Sequence, residues 1–183
     1  VGDGSSSDPF LNRALVVSGV PNSQVAPNAP NLTYPRWGNN ALRLGGNGGR
    51  KASSIEQTAT MTVDDVDPVD GKIHVRFALA PVLNDPNHGH RRQPYFFLEV
   101  VNETTDEQLF STFNFSNQVG IPWQRSGDYL YTDWQGFDVA PGNGRLSVGD
   151  EVTLRIYVAN CGDGGATHSA VVYLDVAGSF MPG

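Results

Sequence analysis

The stretch KIHVRFALAPVLNDPNHGHRRQPYFFLEVV, residues Lys72–Val101, decides the fold, and its pattern is strand, loop, strand. Apolar residues alternate with more polar ones from Ile73 to Leu79, which is the period of a half-buried strand. Pro94–Val101 is rich in aromatic and β-branched residues, as strands are. The loop between them, NDPNHGHRRQP, contains two of the four histidines. Because strands hold such a loop in place, we expect a binding site there.

The rest of the chain continues this β pattern. With 21 glycines and 12 prolines in 183 residues, short strands and turns are expected, and sustained helical periodicity is absent. About ten strands predict an all-β fold, an antiparallel β-sandwich of the jelly-roll type. We expect a flexible N-terminal arm at 1–13 and one domain at 14–183. The predicted strands are Ala14–Val20, Ala41–Leu44, Ser54–Val63, Lys72–Ala80, Pro94–Val101, Gln108–Phe115, Tyr129–Val139, Glu151–Ala159 and Ser169–Val176.

Charge and hydropathy exclude two classes of partner. A net charge of −7 and a pI near 4.9 disfavour nucleic acid, because nucleic-acid binders present a basic surface. No apolar run approaches the roughly 20 residues of a membrane-spanning helix. The single Cys161 excludes an internal disulfide.

Two motifs are better interpreted as loops. GGNGG at 45–49 follows a strand but lacks the Lys-Ser/Thr and the helix of a phosphate-binding loop, so we expect it to end the strand. The acidic segment Asp64–Gly71 superficially resembles a calcium loop, but its spacing is not that of an EF-hand. A solvated turn is favoured there.

No local catalytic signature is present. The chain has no Gly-x-Ser-x-Gly sequence, and Cys161 lies in a glycine-rich loop rather than at a helix start. Asp133 and Asp138, near Trp134, are candidates for a paired-carboxylate site, although exposed strand ends are the favoured interpretation. These observations predict that the protein is not an enzyme.

The 84–94 loop also carries ligand-type side chains. Asp85, His88 and His90 lie within six positions, and His168 lies far along the chain. Imidazole and carboxylate groups bind zinc, but the spacing matches no zinc signature. Hydrogen-bonded scaffolding is favoured over a metal site.

Four pieces of sequence carry a family resemblance. They resemble the extracellular β-sandwich modules of large bacterial surface and adhesin-like proteins, especially those of gliding bacteria, and the second and fourth are the more specific. The pieces are Asn40–Gly45; Asp85–His88 followed by Gln93–Phe96; Asp133–Asp138; and Cys161 with Gly164, Gly165, His168 and Tyr173–Asp175.

The resemblance implies a location and a ligand class. These modules are similar to the galactose-binding-like jelly rolls, whose members often bind sugars and often hold a structural calcium near the last strand. That similarity implies Asp175 as a metal ligand. The chain departs from the pattern by lacking a second cysteine in the region 109–114 and by carrying Ala166 and Thr167 before His168.

The leading hypothesis is therefore a non-catalytic, secreted binding or adhesion module. We expect its partner to be a glycan or cell-surface polymer, because aromatic rings stack on sugars while polar side chains contact hydroxyl groups. Packing is favoured over ligand binding for Trp37. The candidate ligand-binding residues are Asp85, His88, His90, Arg92, Trp37, Trp123, Trp134 and His168.

Two alternatives belong to other functional classes. The protein could be a structural subunit of a surface filament or layer, with residues 1–13 lending a strand to a neighbouring copy. A hydrolase that uses a histidine-bound metal is the less favoured third class.

A final expectation concerns the arrangement of the loops. We predict that the 84–94 loop and NCGDGGATH, residues 160–168, lie side by side with His88 near His168. The reasoning is that Lys72–Ala80 pairs with Pro94–Val101, that Glu151–Ala159 pairs with Ser169–Val176, and that the two hairpins are neighbours.

Overall fold

A computed structural model describes residues 14–47, 51–89, 92–142, 144–161 and 168–176. The described residues form thirteen strands and one short 3-10 helix, Val63–Asp65, capped by Thr62. The predicted arm at residues 1–13 lies outside them. The strands are β1 (Ala14–Ser18), β2 (Gln24–Ala26), β3 (Ala29–Tyr34), β4 (Asn40–Asn47), β5 (Ala52–Thr60), β6 (Val75–Asn84), β7 (Tyr95–Asn102), β8 (Glu107–Phe115), β9 (Gln124–Ser126), β10 (Tyr129–Tyr131), β11 (Gln135–Val139), β12 (Glu151–Ala159) and β13 (Ser169–Val176).

Two antiparallel sheets build the molecule. One has seven strands in the order β1-β4-β13-β6-β10-β9, with β11 also paired to β6, and the other has four in the order β5-β12-β7-β8. From β4 to β7 and again from β11 to β13 the chain alternates between the sheets, which is the winding of a jelly roll. The predicted all-β sandwich is confirmed. Among the described residues, no helix has the length and apolar character needed to cross a membrane.

Strand β6 lies at the centre and is buried on both faces. Phe77 and Leu79 face the core between the sheets, whereas Ala80 and Val82 face a second core under the β2–β3 hairpin. A strand covered on both sides reads as a continuous apolar run, which explains FALAPVL at 77–83. The sequence predicted a half-buried strand at Lys72–Ala80, whereas β6 runs over Val75–Asn84 and is buried on both faces.

The core between the sheets contains a cluster of three phenylalanines. Phe77 is fully buried and stacks on Phe137 of β11, with ring centroids 5.0 Å apart. Phe110 of β8, in the opposite sheet, meets both rings at centroid distances of 6.5 and 5.6 Å. This cluster joins the two sheets through aromatic contacts.

The glycine run does not end β4, because Gly45 and Gly46 pair with Val171 and Ala170 of β13. Gly45 has a φ of +97°, and a Cβ atom there would lie 2.1 Å from the carbonyl oxygen of Ala170. The glycine thus permits a close approach of two strands, a role that the sequence pattern alone did not distinguish from a loop.

The predicted hairpins are wrong, although the predicted proximity of His88 to His168 is confirmed. β6 and β13 belong to the seven-stranded sheet, and β7 and β12 to the four-stranded sheet. The end of β6 pairs with the start of β13, Leu83 with Ala170, and the end of β12 pairs with the start of β7, Ala159 with Tyr95. Both crossovers between the sheets consequently lie at the same end of the sandwich.

One predicted strand is divided in the structure, and one hairpin lies outside the predicted strands. Residues 129–139 form two strands, β10 and β11, because the chain leaves β6 at Thr132 and rejoins it at Gln135. The proline-rich segment 21–40 contains the β2–β3 hairpin, which packs on the outer face of the seven-stranded sheet.

Candidate functional site

At the junction of the two crossovers, Asp85 holds its own loop in place. Its side chain is 5% exposed, and Arg125 donates to Oδ2 at 2.5 Å. The amide of Asn87 and the side chain of Gln93 donate to Oδ1 at 3.3 and 3.4 Å. Gln93 also donates to the carbonyl of His88 at 3.0 Å. Asp85 is therefore a loop anchor in this structure, and the β6–β7 loop is tied to β9 through Arg125.

His88, His168 and Cys161 meet in the same junction. The two imidazole rings are edge to face with centroids 5.1 Å apart, and Nδ1 of His88 lies 3.1 Å from Sγ of Cys161. Cys161 is fully buried. Nδ1 of His168 is buried and has no hydrogen-bond partner among the described residues. The two histidines were predicted to meet, whereas Cys161, which lies in the same 160–168 loop as His168, was not among the predicted ligand residues.

Two other loop candidates are less informative. Arg92 is exposed, and its amide donates to the carbonyl of Gly89 at 2.8 Å, which closes a turn in the loop. His90 lies outside the described residues, so its predicted role stays a prediction.

Trp123 and Trp134 are half-buried parts of the two cores. Trp123 packs against the core between the sheets, and its indole N–H donates to the carbonyl of Gln118 at 3.1 Å. Trp134 packs under the β2–β3 hairpin and donates to the carbonyl of Thr33 at 2.7 Å. Both indoles have the contacts of packing residues, with their polar atoms paired.

Trp37 differs from the other two tryptophans because it is exposed, at 36%, and lines a cleft of about 610 Å³. The guanidinium of Arg36 lies over its ring, 4.9 Å from the centroid. The cleft runs along the side of the sandwich where β1 and β4 face β5. Its lining residues are Val16, Trp37, Gly38, Asn39, Asn40, Ala41, Leu42, Ile55, Glu56, Gln57, Leu174, Asp175 and Val176.

Asp175 lines this cleft and fixes the loop that carries Trp37. Its side chain is buried, and Oδ2 accepts hydrogen bonds from the backbone amides of Arg36 and Trp37, each at 2.9 Å. Burial nevertheless raises the pKa of Asp175 above its ordinary value of 3.8, outweighing the two amides that stabilise the charge. Asp175 is thus placed to position the indole.

The raised pKa gives a stability prediction for Asp175→Asn. A carboxyl that binds its proton more tightly in the folded state stabilises the protein below its unfolded pKa, and that contribution is lost as pH rises through the folded pKa. An asparagine is neutral and its oxygen can accept the same amides. The free energy of unfolding of the variant relative to wild type should therefore increase as pH rises from about 4 to 7. Urea unfolding across this range measures it, and a difference that is flat or falls with pH contradicts the assignment.

The predicted calcium ligation by Asp175 stays a prediction that the same variant tests. Calcium takes six to eight oxygen ligands. If Asp175 is one of them, added calcium raises the unfolding midpoint of wild type more than that of Asp175→Asn, whose side chain lacks the negative charge.

The acidic segment 64–71 begins in the 3-10 helix and continues as the predicted turn, and two of its carboxylates contact side chains at the start of β6. Asp67 accepts from Arg76, which lowers the pKa of this carboxyl, and Asp70 lies 3.2 Å from Nε2 of His74. Asp138 accepts from Arg76 at 3.1 Å and lies 2.5 Å from Nδ1 of His74. These charges form an exposed ion-pair network, and Asp138 is engaged in it.

An aromatic face on the four-stranded sheet escaped the sequence analysis. Tyr95 and Phe113 lie with ring centroids 5.2 Å apart, and Phe97 and Tyr157 lie 6.2 Å apart. Phe113 is 53% and Tyr157 43% exposed. The sequence does contain a pattern that predicts this face. Aromatic residues are two positions apart in β7 and again in β8, and residues at that spacing lie on the same face of a sheet. Phe115 completes the face.

Comparisons with known proteins give only distant similarities. No family model and no curated protein matches the chain. Among solved structures, Caldicellulosiruptor saccharolyticus CBM27-1 in complex with mannohexaose is 14% identical, with a TM-score of 0.44 over 94% of this chain and 85% of that one. A structure of carbohydrate-binding modules from the beta-sandwich superfamily is 11% identical, with a TM-score of 0.41 over 89% and 52%. A chain of the Broad Bean Stain Virus structure is 13% identical, with a TM-score of 0.27 over 75% of this chain and 93% of that one. None of the three assigns a function to this chain.

Proposed function

We propose that the protein is a non-catalytic carbohydrate-binding module whose site is the cleft lined by Trp37. The observation that carries this proposal is an exposed indole beside amide and carboxylate side chains in a concave space. About 610 Å³ lies within the usual range of ligand pockets, roughly 300–1,000 Å³.

The side chains of the cleft match the two surfaces of a sugar ring. The C–H face of a pyranose is apolar and stacks on an aromatic ring, and Trp37 is the one tryptophan of the three that is exposed. Asn39, Glu56 and Gln57 line the same cleft and carry groups that hydrogen-bond to hydroxyls. Arg36 and Asp175 hold the Trp37 loop, so the indole is positioned before the ligand binds.

Several contacts favour binding over catalysis. Asp138 is committed to Arg76 and His74, and Asp133 accepts from Gln124 at 2.9 Å. Cys161 is fully buried and therefore shielded from substrate. A secreted, cell-surface location and an adhesive role belong to this proposal on the strength of the sequence resemblance alone.

Trp37→Ala tests the cleft directly. A glycan array with wild type identifies the ligand, and isothermal titration calorimetry then compares the variants. Loss of the stacking surface should weaken binding at least about 10-fold, since truncating a central aromatic residue typically costs more than about 1.4 kcal/mol. Because Trp37 is exposed, the unfolding midpoint should change little.

Tyr157→Ala is the matched control, since Tyr157 is similarly exposed but lies on the aromatic face of the four-stranded sheet. It should bind as wild type does. If Tyr157→Ala abolishes binding and Trp37→Ala does not, the site is the aromatic face and the cleft assignment is wrong. A blank array, with and without calcium, would contradict carbohydrate binding itself. The alternative of a self-assembling subunit stays a prediction, because residues 1–13 lie outside the described part of the chain.

A further inference from the structure

The junction of the two crossovers contains an arrangement that carbohydrate binding does not use. One ligand-type atom from each of His88, Cys161 and His168 lies within 4.8 Å of the other two. His88 belongs to the β6–β7 crossover, while Cys161 and His168 flank the β12–β13 crossover. Among the described residues this is the one such group of three.

The chemical types and spacing suit zinc. Zinc is bound by cysteine sulfur at about 2.3 Å and histidine nitrogen at about 2.0–2.1 Å, usually as a tetrahedron. Two ligand atoms on such a tetrahedron are roughly 3.3–3.6 Å apart by these bond lengths. The 3.1 Å between Nδ1 of His88 and Sγ of Cys161 and the 4.8 Å limit for the group bracket that spacing. Small rotations of the side chains would bring all three atoms onto one ion.

The surroundings add two independent observations. Nδ1 of His168 is buried without a partner among the described residues, an arrangement that is unfavourable unless something else binds there. The loop of His88 is already held by Gln93 and Asp85. Such support fixes the direction of a ligating histidine.

A nucleophilic cysteine is the competing explanation for a thiol beside an imidazole. Reactive cysteines are at least partly exposed, whereas Cys161 is fully buried. A substrate could not reach the sulfur. The thiol and the imidazole are therefore better suited to bind a metal ion than to attack a substrate.

We propose that His88, Cys161 and His168 are three ligands of one Zn²⁺ ion that clips the β6–β7 crossover to the β12–β13 crossover. Binding deprotonates the thiol and releases its proton to solvent. The ion stabilises the folded state, because the three ligands come together only when the two sheets have packed.

Cobalt titration of the reduced full-length chain tests this. Co²⁺ substitutes for Zn²⁺ and should bind in a 1:1 ratio, with a thiolate-to-cobalt charge-transfer band in the near ultraviolet and ligand-field bands in the visible. Zn²⁺ should displace it and raise the unfolding midpoint. Cys161→Ser should lose the charge-transfer band, and both Cys161→Ser and His168→Ala should weaken cobalt binding more than about 10-fold.

His74→Ala is the matched control, because His74 lies in the exposed network with Asp70 and Asp138, away from the junction. It should bind cobalt as wild type does. Circular dichroism confirms that each variant is folded before titration. No cobalt binding by wild type, a spectrum without thiolate charge transfer, or equal affinity in wild type and Cys161→Ser would each overturn the proposal. None of these results bears on the glycan titrations with Trp37→Ala.

Discussion

Phe77→Ala is expected to lower the free energy of unfolding by about 3–5 kcal/mol, the usual effect of truncating a fully buried phenylalanine. Phe77 stacks on Phe137 within its own sheet and contacts Phe110 of the other sheet. Its loss leaves a cavity where the two sheets are joined, and β6, which is held between β13 and β11, cannot move into the space. Urea unfolding followed by tryptophan fluorescence measures the change.

The matched control is Phe113→Ala, the same substitution on the outer face of β8. Phe113 is 53% exposed, so its removal should change stability by less than about 1 kcal/mol. Equal losses at Phe77 and Phe113 would mean that the space between the sheets is not the main core of the molecule.

Gly45→Ala is expected to destabilise the protein by about 2–5 kcal/mol, a large effect for the addition of one methyl group. The new Cβ would lie 2.1 Å from the carbonyl oxygen of Ala170, an atom of the paired backbone that cannot move aside. It would also lie 3.2 Å from Cγ1 of Val158 in the opposite sheet. The φ of +97° adds strain for any residue with a side chain.

Gly136→Ala provides the comparison, because Gly136 is an exposed glycine in β11 and a Cβ there would meet no atom within 4 Å. That variant should remain within about 0.5 kcal/mol of wild type. If Gly45→Ala is tolerated equally well, β4 and β13 are not in the close register that the structure shows.

The fold was predictable where side chains alternate, because alternation is a local consequence of the pleated strand. β12 and β13 begin and end where the sequence predicted, at Glu151–Ala159 and Ser169–Val176. The centre of the molecule was harder to predict, since a third layer covers the outside of β6 and removes the polar half of the pattern.

Pairing of strands was the part that local sequence did not specify. Adjacent strands joined by a short loop suggest a hairpin, yet the loops after β6 and β12 cross between sheets. The meeting of His88 with His168 was nevertheless predicted, because hairpins and crossovers can both bring these two loops to one end. Cys161 lies in the same loop as His168, but spacing alone does not show which side chains of a loop are buried, so its participation was not predicted.

The three tryptophans show why the binding residues of the candidate site could not be predicted from the sequence. All three carry the same side chain, and composition could not separate the two that pack, Trp123 and Trp134, from the exposed Trp37. The distinction comes from Asp175, which lies far away in sequence and whose carboxylate oxygen accepts hydrogen bonds from the amides of the Trp37 loop.

The place of β13 in the seven-stranded sheet has a consequence for the order of folding. This strand comes last among the described strands, yet it lies between β4 and β6 and pairs with both. Until Ser169–Val176 has been synthesised, β4 and β6 lack the strand that lies between them and pairs with both. In the same way, β5 has no partner until β12 has been synthesised. Contacts between such distant segments require closure of long loops, which makes folding slow and late. The nascent chain therefore keeps β5 and one edge each of β4, β6 and β7 unpaired until β12 and β13 have been synthesised.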